Sequence, residues 1–168
     1  MGLNYKKIAQ RLAEDFRTFH GNDPTRRQEE LLDYFRNGGR FRNRILPRLY
    51  SAFPWFCSRP ATEDDFQEFC QREGVDVVFA PQIKAGICVW YEDRSFIFLN
   101  ADLSGPLLRY VMFHEIGHYL FHGPSTRFIN LATGNVSHRP EKEKKHLEAE
   151  IVAALCNSHG ATDLLLTA

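Results

Sequence analysis

The pentapeptide His114-Glu115-Ile116-Gly117-His118 decides how this chain folds and what chemistry it can carry. Residues four apart on an α-helix project from nearly the same face, one turn apart, so His114 and His118 can bind a single metal ion. Imidazoles are common ligands of Zn²⁺, and a catalytic zinc keeps one coordination position open for water. Glu115 is then placed to accept a proton from that attacking water. The pentapeptide therefore predicts a helical zinc site with Glu115 as the catalytic base.

The residues before this helix predict one further helix and a small sheet. Thr62, followed three residues later by Asp65, predicts a helix over residues 63–73 that Gly74 ends. Three extended segments follow: Val75–Phe79, Ile87–Tyr91 and Ser95–Leu99. The tight connection Glu92-Asp93-Arg94 predicts that the last two segments form a hairpin.

Two further helices complete the prediction. The histidine helix begins after Ser104-Gly105-Pro106 and ends at Gly123-Pro124, and a polar loop occupies residues 125–138. Pro140 then begins a last helix that runs to about Asn157. We expect an α+β fold in which a short, mostly antiparallel sheet packs on the histidine helix and on this final helix.

The first 60 residues differ in character from the rest. Residues 3–19 predict an amphipathic helix, and Asp23-Pro24 begins a second one that Gly38-Gly39 ends. The basic run Arg40–Arg48 follows, in a stretch whose prolines indicate a turn-rich connection. The sequence therefore predicts a helical, basic N-terminal extension over residues 1–60 and a metal-binding domain over residues 61–168.

Composition and charge exclude some classes of protein. Hydrophobic residues make up 43% of the chain, with 14 Phe, which excludes a disordered protein. The formal net charge is zero, but residues 1–60 hold 12 Lys/Arg against 6 Asp/Glu, and residues 61–168 hold 9 against 15. A solvated helical face is the favoured interpretation of the basic part, ahead of an acidic partner or nucleic acid. The arginines of the Arg40–Arg48 run form no helical stripe and accompany no nucleic-acid motif, so direct nucleic-acid binding is not favoured.

Other signals point to a cytoplasmic protein. The N-terminus lacks the apolar run of a signal peptide, and no stretch approaches 18 uncharged apolar residues, so we expect no membrane partner. The four cysteines show no C-x-x-C spacing, which is typical of reduced, mostly buried thiols. The sequence carries no signal for an oligomeric state.

A catalytic zinc normally has three protein ligands, so a third must be found. A histidine six residues after His118 would mark one large class of zinc proteases, but that position is Pro124. His122 lies one turn beyond His118 and too far along the helix axis to share the ion. We expect it to be a residue of the last turn, favourable to the helix dipole, or an outer partner of the site.

The last helix supplies four acidic candidates: Glu141, Glu143, Glu148 and Glu150. Glu148 shares a helix face with Ile151 and Leu155, so it points into the core, where a carboxylate needs a partner. Glu150 lies on a face that looks wetter. Glu148 is the predicted third ligand and Glu150 is the alternative.

This arrangement resembles the ImmA/IrrE metallopeptidases over about residues 61–156. The matching segments are Ile97–Asn100, Phe113–His122 and Glu148–Leu155, the last similar to that family's E-A-[ND]-x-[FA]-A-x-x-L helix. The resemblance implies a zincin domain with Zn²⁺, a third ligand at Glu148 and a protein substrate, often a transcriptional repressor. Glu150 and Val152 depart from the pattern, and the residues after Leu155 differ from the family's usual ending.

Several roles are left open by the sequence. The donor that steadies the tetrahedral oxyanion is expected among Tyr119, His138 and His146, and the strand Ser95–Asn100 is a candidate edge for an extended substrate. A second functional class is a non-catalytic, zincin-like regulatory module whose basic segment docks a protein or a nucleic acid. The complete His-Glu-x-x-His set argues against it, because an idle site has no need of Glu115.

Overall fold

The computed structural model describes residues 4–20, 24–36, 39–123 and 140–158. They form two compact units. One unit spans Thr62–Ala153 and carries the histidine helix. The other unit comprises the residues up to Ala61 and the end of the last helix from Ala154.

The unit before Thr62 is helical, as its sequence predicts. Its helices are α1 (Tyr5–His20), α2 (Pro24–Arg36) and α3 (Leu46–Ala52), and a π-helical turn at Phe41–Ile45 runs directly into α3. Phe35 of α2 stacks on Tyr5 with ring centroids 5.4 Å apart and packs against Phe41 at 4.8 Å. Ile8 and Leu31 are fully buried. The stretch over residues 40–52, for which the prolines indicated a turn-rich connection, is instead helical, because its apolar residues, among them Phe41 and Ile45, are buried.

The second unit begins with α4 (Glu63–Glu73), which has the predicted cap. The Asp65 backbone N–H donates to the Thr62 hydroxyl at 3.2 Å, and the Thr62 backbone N–H donates to the Asp65 carboxylate at 2.8 Å. Gly74 ends the helix with a φ of 69°, a conformation that glycine adopts without strain.

A three-stranded sheet follows, and its strand order decides which strand is exposed at an edge. The strands are β1 (Val75–Ala80), β2 (Gly86–Tyr91) and β3 (Arg94–Asn100), in the order β1-β3-β2. β2 pairs with β3 in the predicted antiparallel hairpin, whereas β1 pairs with β3 in parallel. The sheet is thus mixed rather than mostly antiparallel. The expectation that β3 offers a free edge is wrong, because β3 is paired on both sides.

Two long helices complete this part of the fold: α5 (Gly105–His122) and α6 (Pro140–Asn157). Residues Tyr110–Phe113 and Glu115–Gly117 of α5 are all buried, so the helix is covered on most of its faces. A Cβ atom at Gly117 would lie 2.8 Å from the Cα atom of Ala149, which shows how closely α5 and α6 approach.

The predicted polar loop over residues 125–138, including His138, lies outside the described residues. Within the described parts of the chain, no helix combines the length and the apolar character needed to cross a membrane.

Candidate metal centre

Two imidazoles on α5 present their Nε2 atoms to each other. His114 and His118 are one helical turn apart, and their Nε2 atoms are separated by 3.2 Å. Nitrogen ligands of a tetrahedral Zn²⁺ lie about 2.0–2.1 Å from the ion, which places two of them about 3.4 Å from each other. The predicted pair is therefore spaced as two ligands of one zinc ion would be.

A third imidazole, His146 of α6, joins this pair. Its ring centroid is 5.6 Å from that of His114 and 5.2 Å from that of His118. One nitrogen from each of the three rings lies within 4.8 Å of the other two. Among the residues that the structure describes, this is the group of His, Cys, Asp and Glu side chains that could share a metal ion.

The surroundings keep His118 in the form that coordinates metals. Its pKa is lowered from 6.5 to about 2, mainly because burial disfavours the imidazolium, and further because the rings of His114, His122 and His146 oppose an added positive charge. A neutral imidazole carries a free nitrogen lone pair, so His118 needs to lose no proton at neutral pH before it binds a cation.

Glu115 is buried beside β2, with only 4% of its surface exposed. The Asn100 backbone N–H donates to the Ala85 carbonyl at 2.8 Å, so positions 86, 88 and 90 of β2 direct their backbone groups away from β3. The backbone of Cys88 hydrogen-bonds the Glu115 carboxyl group. A Cβ atom at Gly86 would lie 2.9 Å from Oε1 of Glu115. The outward edge of β2 therefore holds the carboxyl group in place.

Burial also changes the acidity of this group. The pKa of Glu115 is raised from 4.5 to about 8, mainly because burial penalises the carboxylate, while the hydrogen bond with the Cys88 backbone acts in the opposite direction. A nearby divalent cation would favour the ionised form. Glu115 thus lies between the two imidazoles in the sequence of α5, and burial is the main influence on its acidity in the absence of a cation.

Glu148, the predicted third ligand, is buried as its helix face indicated. Its Oε2 atom lies 2.9 Å from Nε2 of His122, and both side chains are only 1% exposed. The Nδ1 atom of His122 lies 2.9 Å from Nδ1 of His118. In this structure the carboxylate of Glu148 is therefore linked to the imidazole pair through His122, and it is not among the described side chains whose ligand atoms lie within 4.8 Å of one another.

The remaining predicted residues have clear positions. Glu150 is buried, with 8% of its surface exposed, so the expectation that it lies on a wetter face does not hold. Tyr119 stacks on Trp90 with ring centroids 5.9 Å apart, and its hydroxyl group hydrogen-bonds Ser95. Tyr119 therefore packs α5 against the sheet, where its hydroxyl group has a partner in Ser95. Of the candidate donors, the structure brings His146 to the imidazole pair, whereas His138 lies outside the described residues.

Sequence reasoning missed how close His146 comes to the imidazole pair. Gly117 of α5 packs on Ala149 and Val152 of α6, with a Cβ atom at position 117 lying 3.2 Å from Cβ of Val152. His146 precedes Ala149 by three residues, so it lies on the same face of α6. The signal that predicts this position is the pairing of two small residues, Gly117 and Ala149, which marks where the helices cross.

A small α+β domain with His-Glu-x-x-His on a buried helix, next to a three-stranded sheet, is a zincin-like domain. The family model described as the IrrE N-terminal-like domain, of the peptidase M78 group, matches residues 70–159. The chain therefore belongs to this metallopeptidase-type family, as the resemblance in its sequence indicated. No curated protein and no solved structure is significantly similar to the chain.

Proposed function

We propose that this chain is a zinc-dependent endopeptidase that hydrolyses a peptide bond in a protein substrate. The observation that carries the proposal is the 3.2 Å separation of the His114 and His118 Nε2 atoms, with the buried carboxyl group of Glu115 on the same helix. Membership of a metallopeptidase-type family supports the same reaction class. When bound, Zn²⁺ would polarise the scissile carbonyl group and lower the pKa of water.

The third ligand in this proposal is Glu148. In the structure its Oε2 atom contacts His122, and Glu148 is not among the described side chains whose ligand atoms lie within 4.8 Å of one another, so its carboxylate would turn towards the ion on binding. A specific observation favours a second candidate, because a nitrogen of His146 lies within 4.8 Å of the ligand atoms of His114 and His118. His146 is exposed, so it also suits the alternative role of a donor to the substrate oxyanion.

Glu115 is the proposed general base. It accepts a proton from the attacking water and passes that proton to the amine that leaves when the peptide bond breaks. The Cys88 backbone hydrogen-bonds the carboxyl group, and Gly86 leaves room for it, so the group is oriented for this proton transfer. No other described carboxyl group lies on α5 next to the imidazoles.

The substrate would bind as an extended strand along the outward edge of β2. The backbone groups of Gly86 and Trp90 point away from β3, on the same side as those of Cys88 that meet Glu115. An added strand there would run past the general base. Site-specific cleavage of a transcriptional repressor is the substrate class that the family resemblance implies, and it remains part of the proposal. No described contact favours the alternative of a non-catalytic module.

The experiment compares the wild-type chain with Glu115→Gln on a proteome-derived peptide library, after loading both with Zn²⁺. We expect cleavage by the wild type and a 10²–10⁴-fold slower rate for Glu115→Gln, because general acid–base catalysis contributes a factor of that size. Glu92→Gln, an exposed change in the β2–β3 turn, is the matched control. Equal cleavage by both glutamine variants would refute the role of Glu115, and no cleavage by any of the zinc-loaded proteins would refute the endopeptidase.

A further inference from the structure

His122 lies between two groups that the metal centre depends on. Its Nδ1 atom is 2.9 Å from Nδ1 of His118, and its Nε2 atom is 2.9 Å from Oε2 of Glu148. The side chains of His122 and Glu148 are each only 1% exposed. A histidine whose role was only to interact favourably with the α5 helix dipole would need neither contact and could be exposed.

The direction of each hydrogen bond follows from the metal-binding nitrogen of His118. Its Nε2 atom faces His114, so Nε2 is the atom that would bind the ion, and a neutral imidazole then carries its proton on Nδ1. His118 Nδ1–H therefore donates to His122 Nδ1. His122 must then carry its own proton on Nε2, and this N–H donates to the Glu148 carboxylate. Each of the two hydrogen bonds then has one donor and one acceptor.

We propose that His122 is a positioning residue that fixes the ring orientation and the tautomer of His118. Glu148 acts on His118 through His122, from whose Nε2–H it accepts a hydrogen bond. The inference rests on the proposed function in assuming that a metal ion binds at His114 and His118. Partners that hold the second nitrogen of a metal-binding imidazole commonly strengthen metal binding by 10- to 100-fold.

Two conservative variants separate the two contacts of His122. In His122→Asn the amide oxygen lies near the former Nδ1 and still accepts from His118. In His122→Gln the amide N–H reaches towards Glu148, but the acceptor for His118 is gone. We expect the Zn²⁺ dissociation constant to rise 10- to 100-fold for His122→Gln and at least threefold less for His122→Asn. Leu107→Gln, at an exposed position of α5, is the control and should bind Zn²⁺ like the wild type.

A second measurement needs no variant. Nitrogen-15 NMR of the Zn²⁺-loaded wild type should find the proton of His118 on Nδ1 and that of His122 on Nε2. A folded His122→Gln protein that binds Zn²⁺ within twofold of the wild type would overturn this inference alone, and so would a proton on Nδ1 of His122. A wild-type chain that binds no Zn²⁺ would overturn the proposed function, and this inference with it.

Discussion

Glu115 and Glu148 are both almost inaccessible to solvent, but their carboxyl groups have different hydrogen-bond partners. The pKa of Glu115 is raised to about 8, chiefly by burial, and its one described hydrogen bond comes from the Cys88 backbone. Glu148 instead faces the Nε2 atom of His122 at 2.9 Å. The two buried carboxyl groups thus have different partners, a strand backbone for Glu115 and an imidazole for Glu148.

The identity of the third ligand is a prediction at this scale. Glu148→Gln keeps an oxygen that can accept from His122 but removes the carboxylate, whereas His146→Ala removes an exposed imidazole. We expect Glu148→Gln to lose stoichiometric zinc and His146→Ala to keep it. Equilibrium dialysis against a competing chelator measures both affinities. The opposite pattern would make His146 the third ligand and leave Glu148 with its contact to His122 alone.

Gly86 gives a second residue-scale prediction, because β2 has no side chain where Glu115 packs. A Cβ atom there would lie 2.8 Å from Cγ1 of Val111 and 2.9 Å from Oε1 of Glu115, closer than real Cβ contacts. We expect Gly86→Ala to displace the Glu115 carboxyl group, lowering the cleavage rate at least tenfold while zinc affinity stays within threefold of the wild type. Ala85→Ser, which adds one atom at the exposed neighbouring position, should change neither. Full activity of Gly86→Ala would show that β2 does not position the base.

At the scale of elements, the crossing of α5 and α6 brings the site together. A Cβ atom at position 117 would meet Cα of Ala149 at 2.8 Å, and a backbone atom cannot move aside as a flexible side chain can. Alanine in a helix normally gains about 0.5–1 kcal/mol over glycine, but overpacking costs about 1–3 kcal/mol. We therefore expect Gly117→Ala to lower the free energy of unfolding and to weaken zinc binding by moving α6. Thermal unfolding and zinc titration test this, with Leu107→Ala on the exposed face as control. A Gly117→Ala protein more stable than the wild type, with unchanged zinc affinity, would contradict the close crossing.

Local signals predicted most of these elements. Thr62, Asp65 and Gly74 define α4 through backbone hydrogen bonds within a few residues, and the Glu92-Asp93 turn defines the hairpin. The position of β1 could not be predicted in the same way, because its parallel pairing with β3 joins segments that no tight turn connects. The π-helical turn at Phe41–Ile45 depends on packing against Phe35, which no local pattern reports.

The sequence predicted the site residues that lie on one helix, but not those that depend on the packing of two helices. His114, Glu115 and His118 follow from spacing along one helix, and the structure brings the two imidazoles together. The approach of His146 and the bridging position of His122 depend on where α6 crosses α5. That crossing is set by side-chain volumes on two segments far apart in the chain, so helical periodicity alone does not reveal it.

At the scale of the whole molecule, metal binding and folding should be linked. The candidate ligands lie on two helices, α5 and α6, and they come together only when the chain folds. The unfolded chain therefore has no preformed site for the ion. Binding at a concentration 100 times the dissociation constant stabilises a protein by about 2.7 kcal/mol. We therefore expect Zn²⁺ to raise the unfolding temperature of the wild type and EDTA to reverse the change. His114→Ala should show no such response, and an equal response in that variant would place the stabilising ion elsewhere.

The metal content of the purified chain tests the central claim most directly. After dialysis against Zn²⁺ and removal of loosely bound ions, we predict one zinc per wild-type chain and none for His114→Ala or His118→Ala. Leu107→Gln serves as the matched control and should retain one zinc. A wild-type chain without stoichiometric zinc, or histidine variants that keep it, would contradict the account.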